Sequence, residues 1–340
     1  MRLTIDSLVT SKELEELNSF AETVPRSSIF QTGLLAQVYS RSPDTQPLAL
    51  VAREPSGGII ASIAGVTFSH ASRLSMLAGA LSRHFTIRGA PLSAFNPRSA
   101  EATHTLLRDL PGRLNPNTLY LRCYPDWEAP SVACLTPNGY ARGDWLNIVI
   151  DLSATDRELF EGMSKHRRKG IRSAESANIR LVSVSTLSEL DHIYRLLVDT
   201  HRRLLIPLQG RLLFNAIFQE IVPKGNALML MAATEDHVLA GRIVLLYRGT
   251  AYDWYAGSTL QGKRLHADEW LVWRAMLLAK EHGAIRFDFG GAGKPDEDYG
   301  PREFKRRFGG PITNVGRYTK VMRRVRYGLV GLAHEVLERI

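Results

Sequence analysis

Residues 227–247 read ALMLMAATEDHVLAGRIVLLY, two apolar runs separated by the polar tetrapeptide Thr-Glu-Asp-His. Each run is rich in aliphatic residues and has the length of a strand, and polar residues between two such runs are typical of a turn. The stretch therefore predicts a β-hairpin with strands over residues 227–233 and 238–247.

A second stretch in the first half of the chain has the same pattern. PLALVA at 47–52 and IIASIAGV at 59–66 flank a Pro-Ser-Gly-Gly turn. Ala52 and Ala232 are 180 residues apart, Ala61 and Ala240 are 179 apart, and a helix precedes each hairpin while further strands and helices follow it. The pattern predicts an internal duplication of one mixed α/β unit. We expect domains over residues 1–150 and 151–320, and a basic amphipathic helix over 321–340.

Helix starts are marked by Thr-x-x-Glu capping boxes at Thr10, Thr155 and Thr186. The helix after Thr186 carries Leu190, Tyr194, Leu197 and Val198 on one face. Another helix is predicted over about 265–281, with Trp270 and Trp273 as core residues and Gly283 as its stop signal.

Length and composition are those of a globular protein. The chain has 340 residues, of which 44% are hydrophobic, and no apolar run reaches the ~18 residues that span a bilayer. The N-terminal residues do not resemble a secretory signal, and the two cysteines, Cys123 and Cys134, are expected to be buried thiols in the cytoplasm. The ten histidines show no metal-ligand spacing, so no metal is expected.

The net charge of +9 is unevenly distributed. Residues 1–150 hold 13 Lys and Arg against 12 Asp and Glu, whereas residues 151–340 hold 30 against 22. A basic excess in one half favours a face for phosphate, nucleic acid or anionic lipid, with generic solubility as the alternative.

Two basic clusters lie in that half. In residues 163–172, Lys165, Arg168 and Arg172 fall on one face of a predicted helix, where they could donate to a diphosphate or a nucleic-acid backbone. In residues 301–311, Phe304 and Phe308 are predicted anchors, and Lys305, Arg306 and Arg307 point in different directions. At least one of these three could neutralise a carboxylate, a phosphate or a developing oxyanion. The alternative for both clusters is a solvated surface.

Residues 285–294, IRFDFGGAGK, predict a short strand that delivers Asp288 to a glycine-rich turn, where the backbone can approach a ligand closely. The Asp-Phe-Gly and Gly-Lys pairs in it lack the other parts of a kinase or a phosphate-binding loop. The last stretch, residues 317–340, mixes basic and aliphatic residues and could dock on the protein or rest on an anionic membrane surface.

Taken together, these segments resemble the Fem-type (FemAB-like) aminoacyltransferases, a branch of the GNAT acyltransferase superfamily. The resemblance runs over nearly the whole chain. Its more specific parts are Tyr255-Ala-Gly-Ser258, Phe287-Asp-Phe-Gly290 and Phe304-Lys-Arg-Arg-Phe-Gly309. The remaining parts are residues 28–32, the hairpin ending GGIIAS, residues 87–91 and the segment 165–174.

The resemblance implies a mixed α/β fold of two tandem GNAT-like domains, without the long helical arm of some members. It implies transfer of an amino acid from aminoacyl-tRNA to an amine of a peptidoglycan or other cell-envelope precursor. It also implies a cytoplasmic enzyme with no cofactor, an anionic cell-wall precursor as partner, peripheral contact with the inner face of the cell membrane, and no stable DNA partner.

Site residues follow from both the residues and the resemblance. Lys305 lies where the family places a substrate-contacting lysine, and Asp288 is the candidate that holds or deprotonates the acceptor amine. The candidate substrate-binding residues are Lys165, Arg168, Arg172, Tyr255, Ser258 and Arg306.

Two departures from the family pattern bear on the substrates. Tyr39 stands where relatives that bind a nucleotide precursor often carry a lysine. The acyl-CoA signature of ordinary GNAT enzymes is absent after Ser258, where the nearest stretch is 261–267. Two alternatives stay open: an acyl-CoA-dependent N-acyltransferase acting on an envelope or exopolysaccharide-linked amine, and a non-catalytic module that binds tRNA or another anionic ligand.

Overall fold

The computed structural model describes residues 3–68, 83–125, 130–204 and 206–328. The chain divides into two compact units, one formed by Met1–Asp144 with Val315–Ile340 and the other by Trp145–Asn314. Among the described residues, no helix is both long and apolar enough to cross a membrane.

The first unit is a mixed sheet with helices on both faces. Its strands are β1 (Thr4–Ser7), β2 (Thr45–Arg53), β3 (Ile59–Phe68), β4 (His84–Arg88), β5 (Leu92–Ser93), β6 (Tyr120–Tyr124), β7 (Ala141–Gly143) and β15 (Arg317–Val321), and the helices are α1 (Ser11–Thr23), α2 (Gly33–Ser40) and α3 (Ser99–Arg113). The strands have the order β1-β2-β3-β4-β6-β15-β7, with β5 paired to β3. Strands β4 and β6 pair in parallel.

Strand β2 is apolar throughout its centre because helices cover it on both faces. Ala49 and Val51 pack with α1 residues Leu17 and Phe20. Leu50 and Ala52 point to the other face, where they join the α3 residues Leu106, Leu107 and Leu110. Both cysteines are buried free thiols of this unit.

The second unit is built on one mixed sheet, with strands β8 (Leu146–Asp151), β9 (Arg180–Ser183), β10 (Ala227–Ala233), β11 (Val238–Tyr247), β12 (Thr250–Ser258), β13 (Arg286–Gly291) and β14 (Ile312–Asn314). Their order in the sheet is β14-β8-β13-β12-β11-β10-β9. Its helices are α4 (Asp156–Gly162), α5 (Lys165–Ser176), α6 (Leu187–Arg203), α7 (Arg211–Glu220), α8 (Leu260–Arg264), α9 (Ala267–Glu281) and α10 (Gly300–Arg306). Helix α9 lays Trp270 and Trp273 in the core as predicted.

The duplication predicted from the sequence is visible in the registers of the two hairpins. In the first unit Ala52 faces Ala61, and in the second Ala232 faces Ala240. Each pair is followed by a register shift on the side of the turn. The mixed α/β fold class predicted from the sequence is therefore confirmed.

The three capping boxes predicted from the sequence all form. Thr10, Thr155 and Thr186 each accept from the backbone N–H three residues on, and the Glu at that position bonds back to the Thr backbone. These reciprocal bonds satisfy amides that would otherwise lack partners at the starts of α1, α4 and α6.

The observed units differ from the predicted division at two places. Strand β8 falls in the second sheet, where it pairs with β13 and β14, although the sequence-based boundary near residue 150 put it in the first domain. The chain then returns, and β15 pairs with β6 and β7 of the first sheet. Val321, the predicted first residue of a C-terminal helix, therefore ends a strand; residues 324–328 are helical, and the rest of that prediction lies outside the described residues.

In the second unit, strands β12 and β13 pair in parallel over a short length only. Thr250–Tyr252 pair with Arg286–Asp288, beyond which β12 continues to Ser258 without β13 beside it. A bulge at Trp254 also shifts the register of β12 against β11. The two strands thus separate immediately after Asp288, and their divergence opens one end of the sheet.

Gly257 sets how closely helix α6 approaches β12. A Cβ atom on Gly257 would lie 2.6 Å from the Leu196 carbonyl oxygen, closer than real Cβ contacts. We expect Gly257→Ala to lower the free energy of unfolding by about 1–3 kcal/mol, because the helix backbone must move. Urea denaturation measures this. Gly112→Ala in α3 is the control, since nothing lies within 4 Å of its added Cβ, and it should be neutral or stabilising. Equal stabilities of the two variants would contradict the contact.

Candidate active site in the second unit

Asp288 lies at the point where β13 leaves β12. Its side chain is 7% exposed, and its Oδ1 accepts from the Gly290 N–H at 2.7 Å. Gly290 has φ +67°, a conformation that glycine adopts without steric cost, so the chain can turn back over the carboxylate. As predicted, a short strand, β13, carries Asp288 and ends in a glycine turn.

Lys305 is attached to the same glycine turn. It lies near the end of α10, and its Nζ donates to the Gly291 carbonyl oxygen at 2.6 Å. The two predicted catalytic residues, Asp288 and Lys305, are therefore fixed to backbone positions one residue apart, Gly290 and Gly291. Phe308 is buried and Phe304 is partly buried, as predicted for anchors of this segment.

Arg167, which is 2% exposed, packs against the segment 304–308 and fixes it in place. Its guanidinium stacks on the rings of Phe304 and Phe308, at 4.4 and 4.2 Å from their centroids. Nη2 donates to the Phe304 carbonyl oxygen at 2.9 Å, and Nη1 pairs with Glu269 at 2.8 Å. Burial lowers the pKa of Arg167 to about 10, which still leaves the side chain charged at neutral pH.

Glu269 connects this cation to the start of α9. Its carboxylate accepts from Arg167 and lies 3.3 Å from Nδ1 of His266. His266 precedes α9 with φ +56°, a left-handed conformation that is uncommon for non-glycine residues. A Cβ on Gly170 would lie 3.0 Å from the His266 ring, so α5 contacts the start of α9 through a glycine. Burial, with His166 and Arg167 nearby, lowers the pKa of His266.

A second buried arginine joins the middle of the sheet to α9. Arg242 of β11 is 1% exposed and pairs with Asp253 of β12 at 2.5 Å and with Asp268 of α9 at 2.7 Å. Asp253 is the first residue of β12 beyond its pairing with β13. The arginine therefore fixes β12 where the two strands begin to separate.

The residues of the first basic cluster have different surroundings in α5. Lys165 and Arg172 are exposed, and the Arg172 guanidinium lies 5.3 Å from the Phe160 ring centroid. Arg168 is half-buried and donates to the Glu161 and Met163 carbonyl oxygens at the end of α4. The predicted basic row exists, but its central guanidinium also caps a neighbouring helix.

Tyr255 and Ser258 belong to a separate group at the far end of β12. The Tyr255 hydroxyl donates to Gln209, and its ring packs edge-on against Phe214. Ser258 is buried, and its carbonyl oxygen accepts from Arg203 at 2.7 Å. Arg306, on α10, is exposed and pairs with Glu303 at 2.8 Å. The structure therefore brings Asp288 and Lys305 together, and it gives Tyr255 and Ser258 different neighbours.

Sequence reasoning missed Arg167 and Arg242. Arg167 precedes Ile171 by four residues and Ala174 by seven, so helical spacing puts it on the buried face of α5, with Lys165 on the exposed one. Arg242 interrupts the apolar run of β11, and a charge inside a buried strand needs a partner. Both signals were present in the sequence.

The chain was compared with protein-family models, curated sequences and solved structures. The model of the acetyltransferase (GNAT) domain family matches residues 163–306, most of the second unit. The acyltransferase class predicted from the sequence is confirmed by this match. No curated protein sequence matches the chain.

Solved structures share the fold over nearly the whole chain. FemX superposes with a TM-score of 0.67 at 14% identity and covers 95% of this chain and 99% of its own. The C-terminal domain of a putative lysylphosphatidylglycerol synthetase from Agrobacterium fabrum gives 0.60 at 13%, with 96% of each chain covered. A tandem GNAT protein from the clavulanic acid biosynthesis pathway gives 0.58 at 12%, covering 94% and 98%. The resemblance to Fem-type proteins is thus confirmed through the fold.

Removing Arg167 tests its part in holding the site together. We expect Arg167→Ala to cost about 3–5 kcal/mol of unfolding free energy, because it leaves the Glu269 carboxylate buried without its partner. The double variant Arg167→Met/Glu269→Gln should lose clearly less, since no unpaired charge remains. Urea denaturation of both variants decides the matter.

The matched control is Arg157→Ala, which removes an exposed arginine paired with Glu161 at 2.8 Å. That change should cost less than about 1 kcal/mol. A loss from Arg167→Ala no larger than the loss from Arg157→Ala would show that the buried pair does not hold the segment.

Proposed function

We propose that the protein is an aminoacyltransferase that moves an amino acid from aminoacyl-tRNA to an amine of a peptidoglycan or other cell-envelope precursor, at the cytoplasmic face of the inner membrane. The observation that carries the proposal is the joint attachment of Asp288 and Lys305 to the Gly290–Gly291 turn at the strand divergence. Whole-chain similarity in fold to FemX and to a lysylphosphatidylglycerol synthetase domain supports it.

In the proposed reaction the acceptor amine attacks the ester carbonyl of the donor. A C–N bond forms, the ester C–O bond breaks, and the amine proton passes to the oxygen of the departing tRNA hydroxyl. Asp288 accepts a hydrogen bond from the amine and holds it in line, and Lys305 donates to the oxyanion as it develops. An ester is already reactive, so positioning and one well-placed cation supply most of what the step needs.

The cations of α5 have the role of binding phosphate in this proposal. Lys165 and Arg172 project into solvent from one helix, and Arg168 is held between them by carbonyl groups. Arg306 adds a charge beside Lys305. A few cations at fixed spacing suit a diphosphate or a short stretch of phosphate backbone.

The stretch that follows β12 bears on the choice of donor. The amide of Gly262 donates to Thr259 Oγ1 at 2.8 Å, and a Cβ on Gly262 would clash with the Leu239 carbonyl oxygen at 2.3 Å. This amide is therefore committed to packing, whereas a CoA diphosphate needs open backbone amides at a helix start. Together with the absence of the acyl-CoA signature from residues 261–267, the loss of this amide is our reason for proposing aminoacyl-tRNA as donor.

An acyl-CoA-dependent N-acyltransferase is the second candidate, because the matching family is described as an acetyltransferase (GNAT) domain. The decisive assay follows label from a mixed pool of charged tRNA into cell-wall precursors, beside a parallel reaction with labelled acetyl-CoA. Label arriving from tRNA supports the proposal. If label arrives from acetyl-CoA alone, the donor is acyl-CoA and the second candidate is correct. If neither donor transfers label, the remaining hypothesis is a non-catalytic binding module.

Changing Lys305 tests its role in transfer. We expect Lys305→Met to lower kcat about 100-fold, because the oxyanion loses its cation, while KM changes little. Lys224→Met, which removes an exposed lysine distant in the sequence, is the control and should leave kcat unchanged. Thermal denaturation should show both variants folded. Wild-type turnover by Lys305→Met would remove this residue from the mechanism.

A further inference from the structure

Three segments of the second unit converge beside the end of β12. Arg203, at the end of α6, donates to the Ser258 carbonyl oxygen, and Thr200 Oγ1 accepts from the Ser258 N–H at 3.3 Å. The start of α7 is held nearby, because Gln209 accepts from the Tyr255 hydroxyl. Helix α8 begins two residues after Ser258. The end of α6 and the start of α8 thus lie together, and the segment that leads into α7 lies beside them.

These three segments all present aliphatic side chains to solvent. Each side chain of the set is at least half exposed: Leu204, Ile206, Leu212 and Leu260. Single exposed leucines are ordinary, but large aliphatic residues from three converging segments form a shared apolar surface. We call these four residues the aliphatic patch.

Positive charge surrounds the aliphatic patch. Residues 198–212 and 258–264 together carry five Lys or Arg residues and one Asp. Arg202, Lys263 and Arg264 are exposed, and none of the three forms an ion pair within the described residues. Arg211 pairs with Asp191 at the start of α7. Aliphatic side chains ringed by free cations match the two layers of an anionic bilayer surface, acyl chains below and acidic headgroups above.

We propose that the aliphatic patch and its flanking cations form a docking surface for an anionic membrane. Leu204 and Leu260 enter the boundary between headgroups and acyl chains, and Lys263 and Arg264 contact the headgroups. A nucleic-acid backbone fits less well, because it offers phosphate to the cations but no apolar layer to the aliphatic side chains. The inference rests on the proposed function only for its place of action, and it requires no particular donor.

The test uses the full chain and vesicle flotation. Wild-type protein should float with vesicles of phosphatidylglycerol and phosphatidylcholine, and much less with phosphatidylcholine alone. Leu204→Asp/Leu260→Asp should weaken binding to the anionic vesicles at least about tenfold, since apolar contact is lost and charge of the wrong sign is added. Lys263→Gln/Arg264→Gln should weaken it about fivefold for each charge removed.

Ile285→Asp is the matched control. It introduces the same charge at a half-exposed aliphatic residue whose N–H donates to Gly249 before the start of β12, about 25–30 Å along that strand from Ser258, and the variant should bind as wild type. Thermal denaturation should show all variants folded, because the altered side chains are exposed.

Two results would overturn the proposal: wild-type protein that ignores anionic vesicles, or a Leu204→Asp/Leu260→Asp variant that binds them as wild type does. The vesicles contain neither tRNA nor acceptor. A failure here therefore leaves the transfer reaction untouched, and a failed transfer assay leaves the docking surface untouched.

Discussion

The arrangement of the second unit depends on one buried cation. Arg167 is enclosed by two phenylalanine rings, a carboxylate and a carbonyl oxygen, each on a different part of the chain from α5. A charge removed from water is costly unless it is paired and hydrogen-bonded, so the surrounding groups cannot move independently. The positions of α5, the start of α9 and segment 304–308 are therefore coupled to one another through Arg167. Arginine suits the position because its planar guanidinium stacks and donates at once, which a lysine ammonium cannot do.

The contacts of Arg167 also help to position the candidate catalytic residues, which lie close to it in the chain or in the hydrogen-bond network. Phe304, whose carbonyl accepts from Arg167, precedes Lys305, whose ammonium donates to Gly291. Asp288 is fixed from the other side by the turn at Gly290. The sheet contributes the opening itself, because β12 and β13 separate after three paired residues. Arg242 holds β12 at that point through Asp253. Two buried arginines thus position a site whose carboxylate is buried and whose lysine is only partly buried.

Local patterns in the sequence predicted local structure well. Capping boxes, hairpins and the tryptophan helix depend on neighbours within a few residues, and they form as the patterns indicate. Strand β8 was placed in the wrong sheet because its apolar alternation says that it is a strand and nothing about which partner it takes. The return of β15 to the first sheet is likewise a long-range pairing. For the site, the sequence indicated Asp288 and Lys305 by their segments. It did not distinguish Arg167 from its basic neighbours, since only helical phase separates the buried guanidinium from the solvated ones.

The difference between buried and solvated cations also changes what the net positive charge of the second half indicates. The second half of the chain has eight more cations than acids, a surplus that by itself suggests a long polyanion. Several of these cations are committed to the fold: Arg167 and Arg242 to carboxylates, Arg168 and Arg203 to carbonyl oxygens. Among the cations that remain exposed, two sets cluster in the sequence: one on α5 and at Arg306 and Arg307, the other around α8 and the end of α6, while others such as Lys224 are scattered. Charge in such small groups recognises compact anionic groups, a diphosphate or a layer of headgroups, more readily than it recognises a continuous nucleic-acid backbone. Net charge therefore overstates the polyanion-binding surface, and the distribution of exposed cations is the better guide to what this protein binds.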